Sequence, residues 1–261
     1  MTDAAAAAAA LLAEHDARHS FHSIRDSFPF DEIGVSYDIQ AELVRRLRER
    51  RGCATIGYKI GLTSPRMQAM CGIPHPIAGR VFADRVHASG ANLSVSDYVH
   101  LGIECEIAVR IGRDLPADAL PADVAGMAEA VAEIAPAFEI VEDRHADYAS
   151  LDMLTLVADN SWNAGVVLGD FSGRWGDLAA IEGVVERNGQ AIDRGLGRDV
   201  MGHPFEPLLW LARHLAERGE MLRAGDLVMT GSIVPTRFPE AGDTWRFTLA
   251  GLGSVAVSVA A

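Results

Sequence analysis

"LGIECEIAVRIGRDLP", residues 101–116, decides how the chain is read. It is an apolar run of strand character closed by Gly, Asp and Pro, and two acids interrupt it. Side chains alternate across a strand, so Glu104 and Glu106 share one face while Ile103, Cys105 and Ile107 take the other. Two like charges side by side raise each other's pKa and cost stability unless a cation lies between them, the more so in a partly buried strand. A solvated strand face is the alternative. A third acid, Glu139 in "APAFEIVEDR", has the same texture, a carboxylate between Phe138 and Ile140 in a strand that follows a helix. Three carboxylates without His or Cys make a hard oxygen site suited to Mg²⁺ or Mn²⁺, and zinc is disfavoured.

Working outward, short apolar and β-branched runs alternate with Gly, Pro and Asp from Thr55 onward. Strand candidates are "TIGYKIGL", "ECEIAVRIG", "AFEIVED", "AGVVLGD", "EGVVERNG", "DLVMTGS", "DTWRFTLAG" and "GSVAVSVA". Two helices are expected among them, "PADVAGMAEAVAEIA", ending at Pro136, and "PFEPLLWLARHLAERG" with an apolar stripe and a Gly stop. Before Thr55 the pattern is helical: an Ala-rich segment from Ala4, the aromatic turn "SFPFDE", then "DIQAELVRRLRERRG" with Gly52 as its stop. The expected fold is α+β in one domain over 1–261, a helical arm over 1–52 leading into a strand-rich body over 53–261. The run Ala4 to Ala10 lacks a basic flank and reads as a helix start, neither signal peptide nor membrane span.

The charge is −13 over 261 residues, and no Arg-rich aromatic platform offsets it, so nucleic acid is not an expected partner and neither is a membrane. Cys53, Cys71 and Cys105 are odd in number and lack CxxC spacing, which fits a reducing cytoplasm. His19 and His22 form the one close histidine pair, expected as solvated surface on a polar N-terminal helix.

Of the 23 basic Lys and Arg residues, only Lys59 in "ATIGYKIGLTSP" is a lysine. A guanidinium cannot release its proton near neutral pH, whereas an ammonium can. On an apolar strand beside Tyr58, Ile60 and Leu62, Lys59 is a candidate general acid/base or a clamp for a substrate carboxylate. "GLGRDVMG" at 195–202 lacks the GxGxxG spacing of a nucleotide loop and reads as a turn. Asp159 and Asn160 in "VADNSW" place polar groups at a pocket or make a turn.

"GYKIGLTS", "ECEIAVRIGRDLP", "PAFEIVEDR", "VADN", the run from "MGHPFEPLLW" to "LVMTGS" and "AGDTWRFTLAGLGSVAVSVA" resemble, in that order over about residues 40 to 261, the 2-keto-4-pentenoate hydratase branch of the fumarylacetoacetate hydrolase superfamily. The resemblance implies a mixed β-sandwich or rolled-sheet body with flanking helices, assembled into dimers or larger rings. It implies that Glu104, Glu106 and Glu139 bind Mg²⁺ or Mn²⁺, that the ion chelates the 2-oxo and carboxylate oxygens of a small 2-keto acid, and that Lys59 is the acid/base. Leu62, Ala78, Gly79, Asp159, Asn160, Trp162 and Thr230 are assigned to substrate binding. The implied reaction is hydration of a 2-hydroxy-2,4-dienoate to a 4-hydroxy-2-oxo acid in the catabolism of aromatic compounds.

Three departures bear on substrate. "PIAG" at 76–79 lacks the acid many hydratases carry near Ala78 and looks closer to the decarboxylase branch. Trp162, in the run after "ADN", stands where relatives often carry a small hydroxyl residue, and Leu196 replaces an Arg that some hydratases have. The runner-up is therefore a 2-oxo-3-enedioate decarboxylase of the 4-oxalocrotonate type. C–C hydrolysis of an acylpyruvate ranks behind it, and so does a non-catalytic partner in a complex of related decarboxylase and hydratase.

Overall fold

A computed structural model describes residues 2–261. The chain opens with helices α1 (Ala4–Asp16) and α2 (Ile33–Arg51). Strand β1 (Thr55–Gly61), helix α3 (Pro65–Cys71) and strands β2 (Ile77–Phe82), β3 (Val86–Ala88), β4 (Ala91–Ser94) and β5 (Leu101–Ile111) follow. Then come α4 (Val124–Ala128), β6 (Val131–Glu142), α5 (Met153–Ala158), β7 (Asn163–Leu168), β8 (Glu182–Arg187) and β9 (Gln190–Leu196). Helix α6 (Glu206–Glu217) and strands β10 (Leu227–Ser232), β11 (Thr244–Leu249) and β12 (Gly253–Ala260) complete the chain.

Two mixed sheets result, one ordered β2-β1-β10-β5-β6-β7-β3 and the other β4-β12-β11-β8-β9. The expected α+β class and mixed-sheet body are what the chain adopts. Alternation along β5 and β6 puts Ile103, Cys105, Ile107, Phe138 and Ile140 into the core shared with Phe247, Val255 and Val257 of the second sheet. Phe138 and Phe247 approach to 6.3 Å between ring centroids across this core. Each such fully buried side chain contributes about 1.5–3 kcal/mol. The opposite face of the large sheet carries small or slim residues, Ala108, Ala135, Ala137 and Val166. This second face also carries Glu104, Glu106 and Glu139, so the alternation that builds the core aims the acids away from it.

The arm forms as expected. Asp3 caps α1 by accepting from the amides of Ala5 and Ala6, and Gly52 closes α2 in the left-handed conformation at φ 62°. Gln40 of α2 donates to the carbonyls of Ala78 and Val157, tying the arm to β2 and α5. His19 and His22 are exposed, but they lie in the loop after α1 rather than on a helix.

The expectation for 121–135 requires correction. Only Val124–Ala128 is helical, and from Val131 the chain is strand β6. Pro136 does not stop a helix but sits inside that strand, opposite Ile107 of β5. Its carbonyl accepts from Gly169, so the side lacking an N–H faces the end of β7, just past the last ladder pair of Ala137 and Leu168, and the pairing with β5 is untouched.

Candidate metal centre and active site

The site follows from strand register. Glu104 of β5 lies directly opposite Glu139 of β6, and Glu106 lies two residues along β5, opposite Ser232 of β10. One carboxylate oxygen from each acid lies within 4.8 Å of the others. Lys59 enters from β1, which pairs in parallel with β10 at Lys59 and Met229. Its Nζ stands 3.3 Å from Glu139 Oε1. Lys59, Glu106 and Glu139 are all buried.

Each acid is held by a residue that the sequence reading did not single out. The Gly231 amide donates to Glu106 at 2.8 Å, Asn163 donates to Glu139 at 2.9 Å, and the Thr236 hydroxyl donates to Glu104. Gly231 has φ +111°, and a Cβ there would lie 2.2 Å from the Thr63 hydroxyl, so only glycine serves. The one local signal was Asn163 closing "ADNSWN"; the other two sit on segments that meet the acids only through folding.

Two carboxylate oxygens, Glu106 Oε1 and Glu139 Oε2, are buried without a hydrogen-bond partner. Burial, reinforced by the charges of Glu139 and Glu104, pushes the Glu106 carboxyl well above its ordinary value. Burial likewise pushes Glu139 up to about 7, against the pull of Lys59. At Lys59, burial favours the neutral amine, but Glu139, Glu104 and Glu106 together outweigh it and hold the ammonium above its ordinary value. Three carboxylates and one ammonium leave two negative charges. A divalent cation balances them and takes up both orphan oxygens, so the residues fit such an ion.

Above the cluster lies a cavity of about 440 Å³ whose wall includes Lys59, Glu104, Leu62, Trp162, Ser232 and Thr236. Of the other residues assigned to substrate binding, none lines this cavity. Ala78 and Gly79 border a separate one of about 260 Å³ beneath α2 and α6. The Ala78 carbonyl accepts from Gln40 and Ser161, and its amide donates to the Tyr37 hydroxyl. Asp159 and Asn160 border a third cavity, of about 480 Å³, between the arm and the body. There Asp159 pairs with His15 of α1 and with buried Arg144. Asn160 exchanges hydrogen bonds with the Arg80 backbone. Residues 160–162 all have positive φ, which makes "VADNSW" a tight left-handed turn that sends Trp162 to the 440 Å³ cavity. Thr230 is buried and donates to the Ile107 carbonyl. Leu196 ends β9 and touches none of these cavities.

Residues 72–260 match the model of the fumarylacetoacetate (FAA) hydrolase C-terminal family. The chain belongs to the fumarylacetoacetate hydrolase family. Among relatives in the family, the TodF product hydratase of Pseudomonas putida is 36% identical over 239 residues, covering 91% of this chain and 88% of its own. A 4-oxalocrotonate decarboxylase of Pseudomonas putida is 33% identical over 242 residues, 91% and 89% of the two chains. In structure, the chain is similar to the 4-oxalocrotonate decarboxylase of Pseudomonas putida G7, complexed with magnesium and adipate, at TM-score 0.90 and 30% identity over 98% of this chain and 97% of that one. A hydratase and a decarboxylase thus both stand among these relatives, and the decarboxylase structure holds magnesium.

Proposed function

We propose that this family member is a divalent-metal-dependent hydro-lyase that adds water to a 2-hydroxy-2,4-dienoate and gives a 4-hydroxy-2-oxo acid. The observation that carries the reading is the carboxylate trio, with two orphan oxygens and the protein's sole lysine 3.3 Å from one member, opening through Glu104 and Lys59 onto a cavity. Relatives named 2-keto-4-pentenoate hydratase, 33% identical over 89% or more of this chain, support hydration as the reaction.

Glu104, Glu106 and Glu139 would hold Mg²⁺ or Mn²⁺. When bound, the ion supplies Lewis acidity toward the 2-oxo and carboxylate oxygens and so favours the electron shift that polarises the distant double bond. The chain's own residues do the rest. Gly231, Asn163 and Thr236 fix the three carboxylates in advance, which removes reorganisation from the reaction. Lys59 holds a proton at Nζ, 3.3 Å from Glu139, and this is the proton available for the carbon end of the dienol. Leu62 and Trp162 wall the cavity and offer apolar surface to the carbon chain of the dienoate.

The test is loss of dienoate absorbance and appearance of a 4-hydroxy-2-oxo acid with 2-hydroxypenta-2,4-dienoate and Mg²⁺. No turnover of any dienoate in the presence of Mg²⁺ or Mn²⁺ refutes the reading. A second reading, decarboxylation of a 2-oxo-3-enedioate, is favoured by the TM-score of 0.90 to a decarboxylase; carbon dioxide release from the diacid, without hydration of a monoacid dienoate, would replace the first. Among the described residues no helix is long and apolar enough to cross a membrane. The reading places the enzyme in the cytoplasm, which three free cysteines support, and makes it a homo-oligomer that light scattering would detect.

A further inference from the structure

The cavity above the carboxylates is larger than a five-carbon substrate needs, and its charge is confined to one end. Such a substrate has eight non-hydrogen atoms; at about 30 Å³ each, the loose packing of liquid water, it fills at most about 240 Å³. The cavity measures about 440 Å³. Lys59 is its single positively charged side chain among the described lining residues, and it lies buried at the end where Glu104, the one lining carboxylate, stands.

The rest of the wall carries no charge and is mostly apolar, with Met67, Leu151, Met153 and Val234 among it, beside the hydroxyls of Thr63, Ser64, Ser161, Ser232 and Thr236. At the mouth stand Tyr148 and Phe238, 41% and 39% exposed, two of the three exposed large hydrophobic residues among those described. Both are held in place. The Tyr148 hydroxyl donates to Asp143 at 2.9 Å and its ring meets Trp162 edge-on at 6.0 Å, while Phe238 stacks on His100 at 4.3 Å. Aromatic faces kept bare at the rim of a cavity suit an apolar group passing between them.

We infer that the preferred substrate is a 2-oxo or 2-hydroxydienoic monoacid with an uncharged alkyl or aryl tail of several carbons, laid along Met67, Leu151, Met153 and Val234 and ending between Tyr148 and Phe238. A six-carbon diacid is disfavoured, because its second carboxylate would be desolvated against this wall with no cation beside it. The inference rests on the hydratase reading and narrows it from a chemistry to a substrate class.

The test measures binding as well as turnover, with the full chain and Mg²⁺. Dissociation constants of the unreactive acids 2-oxopentanoate, 2-oxohexanoate and 2-oxooctanoate are obtained by calorimetry, together with that of the diacid 2-oxoadipate. Affinity should rise about fourfold per added methylene, the factor equivalent to about 0.8 kcal/mol, and so about 60-fold from five to eight carbons. 2-Oxoadipate should bind at least about tenfold more weakly than 2-oxohexanoate. Phe238→Ala should reduce the ratio of eight-carbon to five-carbon affinity about tenfold. Affinity that stays flat or falls with length, tighter binding of 2-oxoadipate, or an unchanged ratio in Phe238→Ala overturns the inference. If the same preparation still hydrates 2-hydroxypenta-2,4-dienoate, the hydratase reading survives that failure. If it hydrates no dienoate, both fall together.

Discussion

Glu106→Gln should make the metal-free protein more stable while abolishing its response to metal. Glu106 is fully buried, its Oε2 accepts from Gly231 at 2.8 Å, and its Oε1 has no partner. Gln is the same size and its oxygen can take the Gly231 bond, so packing is retained and only the ionisable group goes. Burial and the neighbouring acids raise the folded carboxyl above its ordinary 4.5. A raised carboxyl means that the folded protein binds more protons than the unfolded one between the two values, so the parent loses stability as pH rises above 4.5. Gln does not. The gap in favour of the variant therefore widens by at most about 1.4 kcal/mol per pH unit. Two acids within 4.8 Å repel Glu106 by about 3.5 kcal/mol each at an effective dielectric near 20, so the source is large enough. At pH 7.5 we expect a gain of about 2–4 kcal/mol, or roughly 4–16 °C in midpoint at 2–4 °C per kcal/mol for a chain of this size. Mg²⁺ at a hundred times its Kd should stabilise the parent by about 2.7 kcal/mol and the variant by nearly nothing. Thermal unfolding with EDTA and with Mg²⁺, at pH 5 and pH 7.5, reads all four cases. A variant no more stable than the parent in EDTA at pH 7.5, or a gap that does not shrink at pH 5, refutes the reasoning.

Lys59→Met should lower kcat about 10²- to 10⁴-fold, the range of a lost general acid, with Mg²⁺ binding retained in calorimetry. Near-parental kcat would remove Lys59 from the chemistry. Mg²⁺ affinity should fall as pH drops below 7, because Glu139, raised to about 7, must release its proton to bind the ion; a pH-independent affinity between 5.5 and 7.5 would contradict this. Asn163→Ala removes the 2.9 Å bond to Glu139 and should weaken Mg²⁺ binding about 10- to 100-fold, measured by the same calorimetry. Asp159→Asn leaves buried Arg144 without its carboxylate and should destabilise the fold by about 3–5 kcal/mol, read by denaturant unfolding with Mg²⁺ present.

Much of the site was legible because strand alternation is a local rule. Glu-x-Glu in an apolar run puts both acids on one face whatever the strand pairs with, and Glu139 carries the same pattern. A single lysine against 22 arginines is visible without coordinates. The departure at 121–135 shows where the local rule stops. An apolar run of Ala, Val, Ile and Met satisfies helical spacing and strand burial alike, and pairing with β5 along Val131–Glu142 decides between them. The elements β2, β3, β4, β9, α3 and α5 do not stand out from turns in the sequence, because each is short and lacks the run of β-branched and apolar residues that marks β1, β7, β8, β10 and β11.

The sequence by itself determined which side chains could do chemistry and which face of each strand they occupy, because composition and two-residue alternation need no partner. Only the tertiary structure decided that they meet. Placing β10 between β1 and β5, and Glu139 in register with Glu104, are long-range pairings chosen by the whole core, not by any segment's own preference. The same holds for the supports from Gly231, Asn163 and Thr236. It holds also for the displacement of Ala78, Gly79, Asp159, Asn160 and Thr230 from the cavity wall, because a buried polar group takes whatever partner the fold brings within hydrogen-bond reach.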